Sequence, residues 1–269
     1  MNENSNSQHV RLRIRVSSHS LSFAVLDHTS ANKVAFEPYT VKSGMSMAAN
    51  LREAFKESEL LNRGYRRVEI CLDTPVMLVP LQEFSEETAE TYYQHTFDSV
   101  KKDVVLTSVL PTLNAVAVYS INKDLRLVIE DNFADVRFSH VSQPVWSYMH
   151  NRSHTGIQRK LYAYFHDKSV EVFSFDKHRF RFHNTFDANS SRDAIYYIMY
   201  AWKQLAFDNR ADELYVCGNL DETDFMMTTI RKYLQRAFVI NASAEFNRAP
   251  ITQIKGVPFD TVVLFIRGK

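Results

Sequence analysis

The sequence predicts an α/β protein in which one β-β-β-α-β-α unit occurs twice, with a small α/β insert after the first copy. Three observations predict it. Apolar and polar residues alternate in several short runs, faces of helical period separate these runs, and one long stretch repeats at a nearly constant offset. The 269 residues are enough for two modest domains, each with its own core.

The first copy is predicted over residues 10–81. Val10–Val16 alternates apolar and basic residues, as a half-buried strand does, and extended runs follow at 21–26 and 33–40. A helix begins after Lys42-Ser-Gly, and Asn62-Arg-Gly64 is predicted to end it, because glycine accepts the left-handed conformation of a helix exit. Its apolar face carries Met47, Leu51, Ala54 and Phe55. Residues 68–72 are then a buried strand.

The second copy, residues 160–269, is predicted from a residue-by-residue match. Leu12–Asp27 matches Leu161–Asp176 at an offset of 149 (161 − 12 and 176 − 27). Over Lys33–Cys71 the offset becomes 146 (179 − 33 and 217 − 71), which aligns Leu51 with Tyr197. The slip of three residues falls in the hairpin turn after Asp27, where insertions are tolerated. An ungapped match of this length disfavours chance similarity.

The remaining segments carry further predicted elements. A strand at 76–81 leads into the insert, residues 82–142, which holds helices at 85–97 and 123–133 and strands at 104–110, 115–121 and 136–141. Residues 143–159 are predicted as a linker helix. A helix at 221–235 and strands at 238–240 and 261–266 complete the second copy. Residues 1–9 are predicted to be a disordered polar tail.

Composition argues against several classes of protein. A net charge of +1 gives no electrostatic reason to expect nucleic acid as a partner. No apolar run approaches the roughly 20 residues of a membrane helix, so no membrane insertion is expected. The start of the chain lacks the pattern of a secretory signal. Cys71 and Cys217 lie in apolar strands, which favours a reducing cytoplasm over a disulfide framework.

The order of elements resembles the actin-like (ribonuclease H-like) fold of actin, sugar kinases and heat-shock chaperone ATPases. Residues 79–90 are similar to a segment of the bacterial actin-like proteins of cell division and pilus assembly. Several phrases resemble an uncharacterised bacterial family of unknown function in that superfamily. These phrases are Ser46-Met-Ala-Ala-Asn-Leu-Arg-Glu-Ala-Phe55, Tyr65-Arg-Arg-Val68, Ile195-Tyr-Tyr-Ile198, Trp202-Lys-Gln-Leu205 and Val257-Pro-Phe-Asp260. The resemblance implies the fold and brings no known activity.

The same resemblance implies a test for nucleotide chemistry. In active members, the first hairpin of each copy holds an aspartate that positions metal or water, and glycines that let backbone amides approach phosphates. Here 15–20 has neither residue, 165–169 keeps only Asp167, and Gly218 is half of a Gly-Gly expected beneath an adenosine. The weak candidates for a ligand site are Ser17, Ser18, Ser20, Asp167, Lys168, Gly218 and Asn219. We expect no catalytic residue and no cofactor, and we disfavour ATP binding; ordinary solvated turns are the alternative.

Two other sets of side chains are candidates for a site. The histidines at 150, 154, 166, 178 and 183 lack the spacing and partners of a zinc site, so surface histidines and no metal are expected. Arg11, Arg13 and Arg15 share one strand face, as do Lys177, Arg179 and Arg181. With Phe180 and Phe182 they could bind nucleic acid. A solvated strand face is the favoured interpretation, because the whole chain is not basic.

The segment 195–207 has apolar residues around the whole helix, which predicts burial on several sides, where the two copies meet. The sharper alternative is a protein interface formed by Tyr196, Tyr200 and Trp202, because Tyr and Trp are enriched at interface hot spots. The resulting hypothesis is a non-catalytic, actin-like scaffold that binds an unidentified protein in the bacterial cytoplasm. The alternative is a regulator that binds a nucleotide or phosphate ligand in the interdomain cleft.

Overall fold

The structure is a computed structural model that describes residues 10–27, 33–177, 179–220 and 222–267. The described residues form two compact units. The first unit contains the described residues up to Leu110, together with Val116–Gln143 and Gln253–Val257. The second unit contains Pro111–Ala115, Pro144–Thr252 and the described residues from Pro258 onward. The predicted tail at 1–9 and the turn at 28–32 lie outside the described residues. Within the described part of the chain, no helix is both long enough and apolar enough to cross a membrane.

The bounds of the elements follow the predicted pattern over most of the chain. The strands are β1 (Arg11–Val16), β2 (Leu21–Leu26), β3 (Val34–Tyr39), β4 (Arg67–Leu72), β5 (Met77–Pro80), β6 (Val104–Leu110), β7 (Ala115–Ile121), β8 (Asp135–His140), β9 (Lys160–His166), β10 (Ser169–Asp176), β11 (Arg179–Asp187), β12 (Glu213–Gly218) and β13 (Ala237–Val239). The α-helices are α1 (Met47–Glu57), α2 (Glu86–Thr96), α3 (Lys123–Asn132), α4 (Gln143–Ser153), α5 (Ser191–Gln204), α6 (Thr223–Ile230), α7 (Ala242–Glu245) and α8 (Phe259–Arg267).

Each unit contains a five-stranded sheet of the same topology. The strand order is β3-β2-β1-β4-β8 in the first unit and β11-β10-β9-β12-β13 in the second. In both sheets the first three strands of the copy pair antiparallel, the fourth strand pairs in parallel with the central first strand, and the fifth pairs in parallel with the fourth. The predicted duplicated α/β architecture is therefore confirmed.

The register of the central strands agrees with the predicted offsets. Leu12 pairs with Val68 in the first sheet, and Leu161 pairs with Leu214 in the second. These partners differ by 149 (161 − 12) and 146 (214 − 68), the two offsets found in the sequence. The duplication thus preserves the pairing of the strands as well as their order.

The predicted match is wrong by one residue in the helix of the second copy. β10 and β11 pair with a bulge between Ser174 and Phe175, whereas β2 and β3 pair without one. A bulge adds one residue to one strand of a pair and leaves the alternating pattern on either side intact. The extra residue in β11 shifts the alignment of helix α5 with helix α1 by one residue. Buried Leu51 therefore corresponds to buried Ile198, not to Tyr197.

The fifth strand of the first sheet lies in a segment that the sequence assigns to the insert. β8 pairs in parallel with β4, with Val68 opposite Val136. The insert therefore lies inside the first copy, between its fourth and fifth strands, and does not follow it. The remaining strands form a separate sheet of order β5-β7-β6, with Tyr93 of α2 buried against Val116 and Val118 of β7.

Two further predictions of secondary structure are corrected. Residues 261–266 were predicted as a strand because valine, isoleucine and phenylalanine favour strands, but they lie in α8. Asp260 in the first turn of α8 is buried and accepts a 2.7 Å hydrogen bond from the Tyr164 hydroxyl, so tertiary packing overrides the local preference. The helix predicted to end at Gly64 ends at Glu57, and Gly64, with φ of 76°, follows a separate 3-10 turn at Leu61–Arg63.

One face of the second sheet carries a row of stacked aromatic rings. The row runs across four neighbouring strands through Phe173, Tyr162, Tyr215 and Phe238. Successive ring centroids lie 5.5, 5.8 and 5.3 Å apart, with interplanar angles of 21°, 22° and 28°. Each such pair contributes about 0.5–1.5 kcal/mol beyond the area it buries.

The corresponding row of the first sheet is charged. By register it consists of Ala24, Arg13, Glu69 and Arg137, and the Arg13 Nε atom lies 3.2 Å from a carboxylate oxygen of Glu69. The two copies therefore share a backbone arrangement but fill equivalent positions with different chemistry.

Candidate functional site

The first hairpin, Val16 to Leu21, uses its hydroxyl groups within the turn. The Ser17 and Ser20 hydroxyl oxygens lie 2.8 Å apart, and Ser17 Oγ accepts hydrogen bonds from the backbone amides of His19 and Ser20. Arg15 donates to Ser20 Oγ at 3.3 Å. Ser17 is buried, whereas Ser18 is exposed. The local geometry is that of a serine-closed turn, in which hydroxyls replace the backbone contacts that glycines would permit.

The second hairpin is a two-residue turn formed by Asp167 and Lys168. Both residues have positive φ, 43° and 65°, which is the geometry of a type I′ turn. His166 and Ser169 pair across the ends of the flanking strands. Glycine and asparagine are the usual residues at such positions, and aspartate also tolerates the left-handed region. Asp167 is half-buried and Lys168 is exposed.

The backbone at Gly218 lies so close to the neighbouring strand that the position has no room for a side chain. Its φ is +99°, and a Cβ atom built on it would lie 2.1 Å from the carbonyl oxygen of Phe165. The same carbonyl accepts a 2.9 Å hydrogen bond from the amide of Asn219. Backbone packing inside the second unit therefore accounts for a glycine that, from sequence, was a candidate for binding an adenosine.

The three arginines of β1 are paired with acids, so the expected solvated face is wrong. Arg11 lies 3.4 Å from Asp135, Arg13 3.2 Å from Glu69 and Arg15 3.4 Å from Asp73. Arg15 is buried and the other two are half-buried. Charges neutralised in this way are poorly placed to hold phosphates.

The basic residues of β11 are more open. Arg179 and Arg181 are exposed, as is Lys177 in the preceding turn. The guanidinium of Arg181 lies 5.8 Å from the ring centre of Phe207 and donates to the carbonyl of Leu205. Phe180 and Phe182 are half-buried: Phe180 lies edge-on to Trp146, and Phe182 packs against the apolar core of the second unit. The proposed stacking platform for bases is thus incomplete.

A buried carboxylate, missed from the sequence, lies beside the second hairpin. Glu171 is 1% exposed and accepts a hydrogen bond from the indole of Trp146. His183 Nε2 lies 2.7 Å from one of its carboxylate oxygens and His166 Nε2 lies 3.6 Å from the other. His150 is buried too, with Nε2 3.0 Å from the carbonyl of Lys177. These three histidines are therefore not surface residues, whereas His154 is exposed and His178 lies outside the described residues.

The surroundings of Glu171 favour its ionised form. Burial alone would raise the pKa of Glu171, but hydrogen bonds from His166 and His183 more than offset this effect. The pKa of the carboxyl is held well below its ordinary value. The charge links β9, β10, β11 and α4 at one point, because each of these elements contributes a residue of the cluster.

Helix α5 has one buried face and one exposed face, so the predicted burial on several sides is wrong. Trp202 is 2% exposed and donates to Asn209 Oδ1 at 2.9 Å, which places it in the core. Tyr196 and Tyr200 are 63% and 48% exposed, and their rings stack at 6.2 Å. Arg192 and Lys203 are exposed beside them. We call Arg192, Tyr196, Tyr200 and Lys203 the tyrosine stripe; spacings of four, four and three residues place them on one side of the helix.

Comparisons with known proteins agree with this architecture. The family described as "Protein of unknown function (DUF3822)" matches residues 1–237. A crystal structure from Bacteroides thetaiotaomicron VPI-5482, of a protein with actin-like ATPase fold and unknown function, is similar at 26% identity and a TM-score of 0.81, covering 95% of this chain and 100% of that one. The fold is thus actin-like, as the order of elements predicts.

A more distant similarity is to the PilM–PilN type IV pilus biogenesis complex. It matches at 13% identity and a TM-score of 0.54, covering 96% of this chain and 98% of that one, which shows the fold alone. No curated protein matches the sequence.

Replacing Gly218 with alanine tests the structural role of this glycine. We expect Gly218→Ala to destabilise the protein by about 2 kcal/mol or more, because the new methyl group meets the Phe165 carbonyl and the residue stays at positive φ. Gly64→Ala is the matched control: its φ is +76° with open space around it, so it bears only the conformational cost. Thermal unfolding measures both, and an equal loss in the two variants would contradict the close approach.

Replacing Glu171 with glutamine tests the buried charge. We expect Glu171→Gln to cost about 1–3 kcal/mol of unfolding free energy at neutral pH, because the histidine contacts lose their charged acceptor. The pKa of Glu171 is lower in the folded than in the unfolded chain, so its stabilisation is present above about pH 4.3 and is lost as the pH falls toward the folded value. The difference between the variant and the parent should therefore shrink in acid.

Denaturant unfolding at a series of pH values makes this measurement. Asp176→Asn, an exposed change at the end of the same strand, should alter stability by less than about 0.5 kcal/mol throughout. A Glu171→Gln deficit that grows in acid would refute the assigned charge state.

Proposed function

This chain belongs to the DUF3822 family of proteins of unknown function, and on that premise we propose that it is a non-catalytic scaffold of actin-like fold that binds a protein partner. The observation that carries the proposal is the exposed tyrosine pair of α5. Two large aromatic side chains are presented to solvent on a helix whose opposite face is anchored in the core by Ile198 and Trp202.

The pair has properties that suit a protein contact. Tyrosine offers a large apolar ring and a hydroxyl while losing little side-chain entropy on binding. Tyr196 stacks on Tyr200 and lies edge-on to Tyr197, so the rings are already held in place before a partner arrives. Pre-ordered side chains lower the cost of binding.

The hairpins support the non-catalytic part of the proposal. Phosphoryl transfer depends on positioning and on charge neutralisation by metal and backbone groups. Ser17 and Ser20 bond to one another, and Asp167 and Lys168 form a two-residue turn with no glycine for close approach to a phosphate. The PilM–PilN structure is a complex of two proteins, and it supports the view that this fold can serve binding.

We also place the scaffold in the cytoplasm. Neither Cys71 nor Cys217 forms a disulfide, both are buried, and burial raises the pKa of the Cys217 thiol well above its ordinary value. Two inert thiols suit a reducing compartment.

A thermal-shift experiment tests the non-catalytic part. With Mg²⁺ and ATP or GTP we expect no change in melting temperature. A nucleotide that bound the folded protein and was present at about 100 times its Kd would add about 2.7 kcal/mol of stability. In a protein of this size, each kcal/mol of added stability raises the melting temperature by about 2–4 °C. A reproducible upward shift that Lys168→Ala abolishes would instead support the nucleotide-binding alternative.

Changes in the tyrosine pair test the binding part. We expect Tyr196→Ala/Tyr200→Ala to weaken partner binding at least about tenfold, because central tyrosines each contribute more than about 1 kcal/mol to an interface. Tyr233→Ala is the matched control, since Tyr233 is 60% exposed on the chain that follows α6. The readout is recovery of the partner by the tagged protein and by each variant. Equal recovery by all three would contradict the proposal.

A further inference from the structure

The first unit presents an acidic helix with little of its surface buried. Only Ala89 and Tyr93 of α2 are buried, and three glutamates in its first two turns are exposed. Glu86 and Glu90 are one helical turn apart and share a side, with Glu87 beside them. Glu83, also exposed, precedes the helix. The helix therefore offers a row of carboxylate acceptors.

The tyrosine stripe of the second unit offers the complementary groups. Arg192 and Lys203 provide a cation near each end, and Tyr196 and Tyr200 provide hydroxyl donors between them. The one acid of α5 beside the stripe, Asp193, is engaged at the start of the helix, where Ser190 donates to its carboxylate at 2.8 Å. Carboxylates bind most strongly to charged donors, and hydroxyl donors add to such contacts.

From this complementarity we propose that the tyrosine stripe of one copy binds helix α2 of a second copy. The proposal rests on the proposed function and names the partner at the same surface. One helix brings acceptors and the other brings cations and hydroxyls, so opposite potentials meet at the contact. Tyrosine rings next to paired charges exclude water, and hydrogen bonds between charged groups are stronger where water is excluded.

The two halves of this contact differ, and every copy carries both. Such a heterologous contact joins molecules head to tail and produces open chains or closed rings. A single helix-on-helix contact is small, so association should be weak and should depend on protein concentration. Exposed charge pairs are screened by salt, so the association should also weaken as ionic strength rises.

Sedimentation velocity over a range of protein and salt concentrations tests the proposal. The parent protein should form larger species as its concentration rises in low salt, and fewer of them in high salt. Glu86→Lys/Glu90→Lys and Arg192→Glu/Lys203→Glu should each lower the association constant at least about tenfold. Glu130→Lys/Asp131→Lys is the matched control, because it makes the same change of charge at two exposed acids of α3 and should associate like the parent.

Mixing the two defective variants gives the decisive arm. The first retains an intact tyrosine stripe and the second an intact α2, and the reversed charges of their other two surfaces also match, so an equimolar mixture should form a complex that neither variant forms alone. Circular dichroism and melting temperature confirm that each variant is folded. A parent that stays monomeric at the highest concentration, a Glu86→Lys/Glu90→Lys variant that associates like the parent, or a mixture without the complex would each overturn the proposal.

Sedimentation of the Tyr196→Ala/Tyr200→Ala variant, together with the recovery experiment on it, separates failure of this inference from failure of the proposed function. One outcome is that the parent stays monomeric and recovers a different protein that Tyr196→Ala/Tyr200→Ala fails to recover. In that case the stripe binds another partner, and only the proposal of self-association is wrong. If the tyrosine changes affect neither self-association nor recovery of any protein, both proposals are wrong.

Discussion

The parallel pairing of the central strand with the strand that follows the helix is the constraint on which both units depend. Side chains alternate between the two faces of a strand, so a slip of one residue would move every core residue to the other face. Leu12 opposite Val68 and Leu161 opposite Leu214 keep the same register in the two copies. With that register fixed, one face buries the core in both sheets, and the other is free to differ. It carries aromatic rings around Tyr162 in the second unit and an ion pair at Arg13 in the first.

Strand order and offset could be predicted because alternation and repetition are properties of the sequence alone. The bulge in β11 could not, since one extra residue leaves the pattern on both sides intact. The position of β8 was missed because a pattern of period two does not say which sheet a strand joins. The helix at 259–267 was mistaken for a strand because its apolar residues favour strands, and only the fold supplies the contact between Tyr164 and Asp260.

The candidate site was predicted less well, for a different physical reason. Sequence identifies residue types, whereas their roles depend on burial and partners. Glu171 in an alternating strand suggests a solvated face, yet it is buried among Trp146, His166 and His183. The predicted interface residues of α5 divide in the same way, because the bulge shifts the helix: Trp202 lies in the core while Tyr196 and Tyr200 face solvent. Gly218, a candidate for ligand binding, is explained by its contact with Phe165.

The central claim is that this chain acts through the surface of α5 and not through its hairpins. Hydroxyl-radical footprinting tests it directly, because tyrosine side chains are oxidised in proportion to their exposure. We expect Tyr196 and Tyr200 to lose reactivity when the protein is bound to its protein partner, while Tyr233 keeps its reactivity. Addition of Mg²⁺ and ATP should leave the reactivity of all three tyrosines unchanged. Unchanged reactivity of Tyr196 and Tyr200 in the complex would contradict the account.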